Sequence, residues 1–127
     1  MIISGRVIRG KGYGRKIGFP TANLSRHSWR SIKVKPKLGI YSGTAQIYNK
    51  AGLPAGALAK AGIIIGPREK NGLPKIEAHL IGLRRDIYGK KLVLELKKFL
   101  REYKKFNTEK ELIAQIKKDL KMVELHI

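Results

Sequence analysis

The chain predicts a mainly β fold in which short antiparallel strands close into a barrel and one C-terminal helix follows. Three observations lead there. Gly and Pro punctuate the first three quarters of the 127 residues at short intervals, as turns between strands require. Several of the intervening segments alternate apolar and polar residues, the period of a half-buried strand. Near the end the period changes: Leu112, Ile116 and Leu120 recur at the four-residue spacing of one helical face.

The elements follow in order. Candidate strands are Ile2 to Ile8, Gly39 to Tyr48, Gly56 to Ile65, Lys75 to Leu83 and Lys91 to Lys98, and strands this short and this closely spaced favour closure over an open sheet. Thr108 followed by Glu111 makes a capping box at the start of the helix. Glu109 and Glu111 in its first turn, with Lys117, Lys118 and Lys121 in its last, complement the helix dipole. There is no internal repeat, low-complexity tract or linker, so a single domain over residues 1–127 is expected, long enough to bury roughly two thirds of its unfolded surface.

Composition excludes several classes of function. Without cysteine there is no disulfide framework, thiolate metal site or cysteine nucleophile. An apolar fraction of 43% without a long apolar run fits neither a disordered chain nor a membrane span. The opening Met-Ile-Ile-Ser-Gly-Arg-Val lacks a secretory signal, so a cytoplasmic protein with no membrane partner is expected. The net charge is +19, and all nine acidic residues lie from Glu69 onward, whereas residues 1–68 carry thirteen Lys and Arg. Such a half calls for an anionic partner. On charge alone nucleic acid comes ahead of a phosphorylated small molecule.

The densest chemical signal follows the first strand. Gly10, Gly12 and Gly14 leave the backbone free to aim amides at phosphate oxygens, and Arg15 and Lys16 add full positive charge. By itself this segment is read more readily as a flexible hairpin loop with solvated basic residues, because such glycine patterns often arise by chance. Pro20 biases Phe19 toward an extended conformation. Thr21 and Asn23, two residues apart, then project from one side and offer two neutral oxygens, which suit a Mg²⁺ ion already neutralised by a nucleotide. The alternative is that both satisfy their own backbone in a turn. Glu77 sits in Lys75-Ile-Glu-Ala-His-Leu-Ile81, where Ile76, Ala78 and Leu80 share one face and Glu77, His79 and Ile81 the other. It is a candidate base for a reacting hydroxyl; an outward strand Glu paired with Lys75 is the competing reading. His79 is read as a hydrogen-bonded strand residue without chemistry.

These segments together resemble the riboflavin kinase domain, found alone or fused behind an FMN adenylyltransferase. Gly5-Arg-Val-Ile-Arg-Gly10 with its glycine loop and Gly18-Phe-Pro-Thr-Ala-Asn23 carry the resemblance most specifically. Gly39-Ile-Tyr41, Ile76-Glu-Ala-His-Leu80, Asp86-Ile-Tyr-Gly89, Phe99-Leu-Arg101, Lys105-Phe106 and Glu111-Leu-Ile-Ala-Gln-Ile116 with Asp119 continue it in order. The resemblance implies a six-stranded antiparallel Greek-key barrel with a C-terminal helix, and a kinase that moves the γ-phosphate of ATP onto the 5′-hydroxyl of riboflavin. It implies Mg²⁺ on Thr21 and Asn23, the Gly10 to Lys16 loop and Pro20 around the nucleotide, Glu77 as base, and Arg101 on a flap near flavin and phosphate. A stand-alone, monomeric domain that does not make FAD is the matching expectation. Two segments depart from the family pattern: Gly12-Tyr13-Gly14-Arg15, where many relatives have Gly-Arg-Gly-Arg, and Ile64 to Lys70, which lacks the usual Asn and Pro-Thr.

The rival from another class is a catalytically idle barrel that binds RNA. Tyr41, Tyr48 and Tyr88 would stack bases, and Lys33, Lys35 and Lys37 would form a basic stripe if that stretch is extended. Weak non-specific RNA binding is expected even beside kinase activity.

Overall fold

Six strands close into one barrel in the computed structural model of the chain, which describes residues 1–83 and 85–125. They are β1 (Ile2–Ile8), β2 (Ala22–Leu24), β3 (Gly39–Tyr48), β4 (Ala59–Arg68), β5 (Pro74–Leu80) and β6 (Lys91–Arg101). Around the barrel they run β1-β2-β5-β4-β3-β6, and every pairing is antiparallel. β3, β4 and β5 pair in succession while β6 returns to the free side of β3, which makes the Greek key. Closure leaves the sheet no open edge.

The alternation read from the sequence decides which side chains fill the interior. Ile76, Ala78 and Leu80 of β5 point inward and are buried, with Ile3, Val7, Leu24, Ile63, Ile65, Leu92 and Leu94 around them. Lys75, Glu77 and His79 point outward and stay half-buried. Thus the candidate base belongs to the outer surface of the barrel, and any site around it must be built there.

Three helices complete the fold: α1 (Tyr13–Lys16), α2 (His27–Arg30) and α3 (Glu109–Leu125). Thr108 caps α3, its Oγ1 accepting from the Glu111 N–H at 3.1 Å. α3 crosses the outer face of β3 and β4, with Leu120 and the buried Val123 above Gly62.

Several expectations change. β2 is a strand the periodicity missed, because three residues are too few to show a period. β4 begins at Ala59 rather than Gly56, since Gly56 has φ 89° in the preceding turn. β5 stops at Leu80. α3 runs on to Leu125, so Lys117, Lys118 and Lys121 are not in its last turn. Lys60 of β4 takes over there, its Nζ donating to the Glu124 carbonyl at 3.2 Å. The stretch from Lys33 to Lys37 is not a strand. Lys35 turns back to donate to the carbonyls of Trp29 (2.6 Å) and Ile32, and Lys37 pairs with Glu102 at 3.1 Å. No basic stripe forms. Tyr41 is buried, donates its hydroxyl to the Lys37 carbonyl at 2.6 Å and packs edge-on to Phe99, so it cannot stack a base.

Candidate active site

Cross-strand register assembles the centre of the site. Ile8 faces Asn23, Asn23 faces Glu77, Glu77 faces Ile64 and Ile64 faces Ile40, one row across β1, β2, β5, β4 and β3. All five residues line a cavity of about 1280 Å³ on the outer face of the barrel. Residues 9–15 and 17 form part of its wall beside Pro20 and Thr21, and residues 103–109 with Leu112, Ile116, Asp119 and Leu120 of α3 form another.

The glycine segment contains regular structure. Residues 13–16 make one helical turn, entered through Gly12 at φ 73°, a left-handed conformation that disfavours any side chain. Gly14 is needed for space: the Phe19 N–H donates to its carbonyl at 2.7 Å, and a Cβ on Gly14 would lie 2.4 Å from the Phe19 carbonyl oxygen. Gly10 packs on Asn23 in the same way, its hypothetical Cβ falling 2.3 Å from Asn23 Nδ2. Of the predicted site residues, Gly10, Gly12, Gly14, Arg15, Pro20, Thr21, Asn23, Glu77 and Arg101 all line the cavity. Lys16 does not. It is exposed at the end of α1 and outside the cavity wall.

Electrostatics around Glu77 are uneven. Burial pushes its carboxyl above the usual carboxylate range, opposed by the nearby charges of Lys75 and Arg26 and reinforced by Glu69. Lys75, the partner expected for an outward strand Glu, forms no ion pair with it among the described residues. Arg26 instead pairs with Glu69: its Nε donates to Glu69 Oε1 at 2.7 Å, and its terminal nitrogen contacts the same oxygen. That hydrogen bond holds the Glu69 carboxyl below its usual range. Arg101 is committed as well. It grips Asp119 of α3 through Nε at 3.0 Å and a terminal nitrogen at 2.8 Å, and Gln115 donates to the same carboxylate at 3.0 Å. The arginine expected on a flap is therefore tied to α3 while still lining the cavity.

Sequence reading passed over Arg26, Glu69 and Asp119 as members of the site. Arg26 looks like any other cation of a basic half. Glu69 did carry a signal, as the first acidic residue after 68 positions without one. His79, expected to be idle, donates through Nδ1 to the Pro20 carbonyl at 2.7 Å and meets the Phe19 ring edge-on.

A closed Greek-key barrel with a basic, glycine-lined cavity on its outer face, whose wall includes the half-buried carboxylates of Glu69, Glu77 and Asp119, is a barrel equipped to hold an anionic ligand beside a carboxylate. Residues 1–126 match the family Flavokinase, described as riboflavin kinase. The chain is 35% identical over 125 residues to the RNA-binding riboflavin kinase RibR of Bacillus subtilis, covering 96% of this chain and 49% of that protein. It is 36% identical over 115 residues to a bifunctional riboflavin kinase/FMN adenylyltransferase of Listeria monocytogenes, covering 91% of this chain and 34% of that one. The crystal structure of riboflavin kinase from Trypanosoma brucei superposes with a TM-score of 0.70 at 20% identity, over 97% of this chain and 74% of that chain, and so shares the fold. The chain belongs to the riboflavin kinase family. It spans about half the length of RibR and about a third of the bifunctional relative.

Proposed function

We propose that the protein phosphorylates riboflavin, transferring the γ-phosphate of ATP to the 5′-hydroxyl to give FMN and ADP, as a cytoplasmic enzyme. The observation that carries this reading is the direct opposition of Glu77 and Asn23 on the outer face, inside a cavity with a glycine-rich basic wall and an apolar wall. Ile40, Ile64, Leu112, Ile116 and Phe106 suit a flat aromatic ring system. The amides between Gly10 and Gly14, with Arg15, suit the phosphates. Lys16, outside the wall, acts on the nucleotide only through its long-range field.

The residues fit Mg²⁺. Among the described residues no group of three His, Asp or Glu could hold a metal, but Thr21 and Asn23 supply neutral oxygens, and Gly10 holds the Asn23 carboxamide in place. A bound Mg²⁺ would neutralise the charge that develops on the phosphates. Glu77, as carboxylate, accepts the 5′-hydroxyl proton while that oxygen forms its bond to the γ-phosphorus and the bond to the β-phosphate oxygen breaks. A carboxyl raised toward working pH is a better base than an ordinary one. Arg101, released from Asp119, would be free to meet the transferred phosphate. The test is direct: incubation with riboflavin, ATP and Mg²⁺ should yield FMN by chromatography, and riboflavin, ADP and Mg²⁺ together should raise the melting temperature more than any one alone. Absence of FMN under all nucleotide and metal conditions would refute the reading.

A second activity has its own observation. Arg6 faces Lys91 across β1 and β6, Lys91 faces Tyr48 across β6 and β3, and Arg9 lies 4.4 Å from the ring centre of the half-exposed Tyr88. Arg6 also donates to the Gly89 carbonyl at 2.8 Å, which joins these into a group of three cations and two tyrosines, of which Arg9 and Tyr88 reach the cavity wall. None of the three makes an ion pair among the described residues. Basic residues interleaved with aromatic rings suit single-stranded RNA, and RibR is itself named as RNA-binding. A weak, sequence-independent RNA affinity thus accompanies the kinase reading.

A further inference from the structure

The β2–β5 ladder ends at Ala22 paired with Ala78, and Asn23 pairs with Glu77. Continuing that register places Thr21 opposite His79, but no ladder bond is formed there, and the residue before Thr21 is a proline without an N–H. A side chain takes the place of the missing backbone bond. His79 Nδ1 lies 2.7 Å from the Pro20 carbonyl oxygen. A carbonyl can only accept, so this nitrogen carries the proton. The same ring meets Phe19 edge-on with centroids 6.1 Å apart. The Pro20 carbonyl belongs to the peptide plane that ends at the Thr21 nitrogen, so holding that oxygen fixes how Thr21 leaves the plane. His79 and Glu77, two apart on β5, share the outer face with Thr21 and Asn23.

The geometry points to His79 as a positioning residue: its Nδ1–H bond to the Pro20 carbonyl and its contact with Phe19 orient the Pro20–Thr21 peptide, so that the Thr21 hydroxyl joins the Asn23 amide at one metal and phosphate site. This rests on the Mg²⁺–nucleotide site proposed above. It gives the imidazole no proton transfer with substrate. It also explains why a ring on the face of the base is spent on a backbone carbonyl. Without that bond, nothing in the β2–β5 ladder constrains the chain ahead of Ala22.

Amide variants separate positioning from bulk. Asn carries its NH₂ the same number of bonds from Cα as His Nδ1, whereas Gln carries it one bond farther, so His79→Asn can remake the bond and His79→Gln cannot without displacing the chain. ADP binding is measured by calorimetry with and without Mg²⁺ for wild type, His79→Asn, His79→Gln and His79→Leu, alongside riboflavin affinity and melting temperature. The expected result is that Gln and Leu lose about tenfold or more of the Mg²⁺-dependent gain in ADP affinity, as loss of an outer partner to a metal ligand does. Asn should recover most of it, and riboflavin affinity should stay constant. Long-range ¹H–¹⁵N spectra of the free protein should show His79 protonated on Nδ1. The inference is overturned if Gln and Leu keep the full Mg²⁺ gain, if Asn is no better than Gln, if the ring carries its proton on Nε2 alone, or if Mg²⁺ never affects wild-type ADP binding. A wild type that shows the Mg²⁺ gain yet makes no FMN would refute the kinase reading and leave the positioning role standing.

Discussion

Gly10 lies so close to Asn23 that a Cβ at position 10 would come within 2.3 Å of the carboxamide nitrogen and 2.7 Å of its carbon. Asn23 cannot retreat with its backbone, because β1 holds it on one side and β5 on the other. Gly10→Ala should therefore rotate the amide out of the site. Activity is expected to fall on the order of 10²-fold, the scale of a 1 Å misplacement in a catalytic constellation, with little change in melting temperature. Steady-state kinetics beside thermal melting checks this; unaltered turnover would show that the amide orientation is irrelevant.

Glu77→Gln should leave the fold and nucleotide binding intact and lower the transfer rate by roughly 10² or more, the usual range for a lost general base. pH gives a second readout. Burial raises the folded-state pKa of Glu77, so the acid limb of the wild-type rate profile should lie above the ordinary carboxylate range and be absent from the variant. The same shift sets a stability trend: the folded state holds this proton more tightly than the unfolded one, so its contribution is full below the unfolded pKa and is lost as pH rises through the folded pKa. Above that window Glu77→Gln should melt no lower than wild type. A clear loss of stability there would mean that the charged carboxylate is structural.

Thr21→Val combined with Asn23→Leu removes both proposed neutral oxygens. The Mg²⁺ concentration needed for half-maximal activity should rise about tenfold or more. A Mg²⁺ titration that coincides with that of wild type would remove these two residues from the metal site.

Arg101 and Asp119 tie the end of β6 to α3 through two short hydrogen bonds. Asp119→Asn keeps the shape but removes the charge, so a loss of roughly 1–2 kcal/mol is expected for this partly exposed pair. Denaturant unfolding measures it. If Arg101 also serves the phosphate, Arg101→Gln should cost more activity than Asp119→Asn at equal stability; equal activities would limit the pair to holding α3.

The basic surface around Tyr48 and Tyr88 predicts RNA affinity that drops steeply with salt through counterion release. FMN formation should persist at salt levels where RNA has dissociated. Filter binding and turnover measured across one salt series decide between the two activities: RNA retained at high salt without FMN formation would favour the RNA-binding barrel.

Periodicity and local chemistry in the chain were enough for the barrel, its closing helix and the start of that helix at Thr108. Short-range signals also picked out the glycine segment, Thr21, Asn23 and Glu77 as candidates, and the alternation in β5 put Glu77 on the face opposite Ile76 and Ala78. The resemblance of whole motifs to riboflavin kinases added the number of strands and the order of roles. Apart from that order of motifs along the chain, this is information carried within short stretches of neighbouring residues.

Tertiary structure decided what those stretches meet. A three-residue β2 becomes a strand only because β1 and β5 lie on either side of it, and the facing of Asn23 and Glu77 is a register between segments far apart in the chain. Pairing of Arg26 with Glu69, and of Arg101 with Asp119, likewise follows from which elements pack together. Lys35 folds back onto the carbonyls of Trp29 and Ile32 and Tyr41 is buried for the same reason, against the RNA-binding roles their types suggest. The physical cause is common to all of them: dihedral preference and side-chain period are local, but the partner of a hydrogen bond or a charge is fixed by where barrel closure and α3 bring distant backbone together.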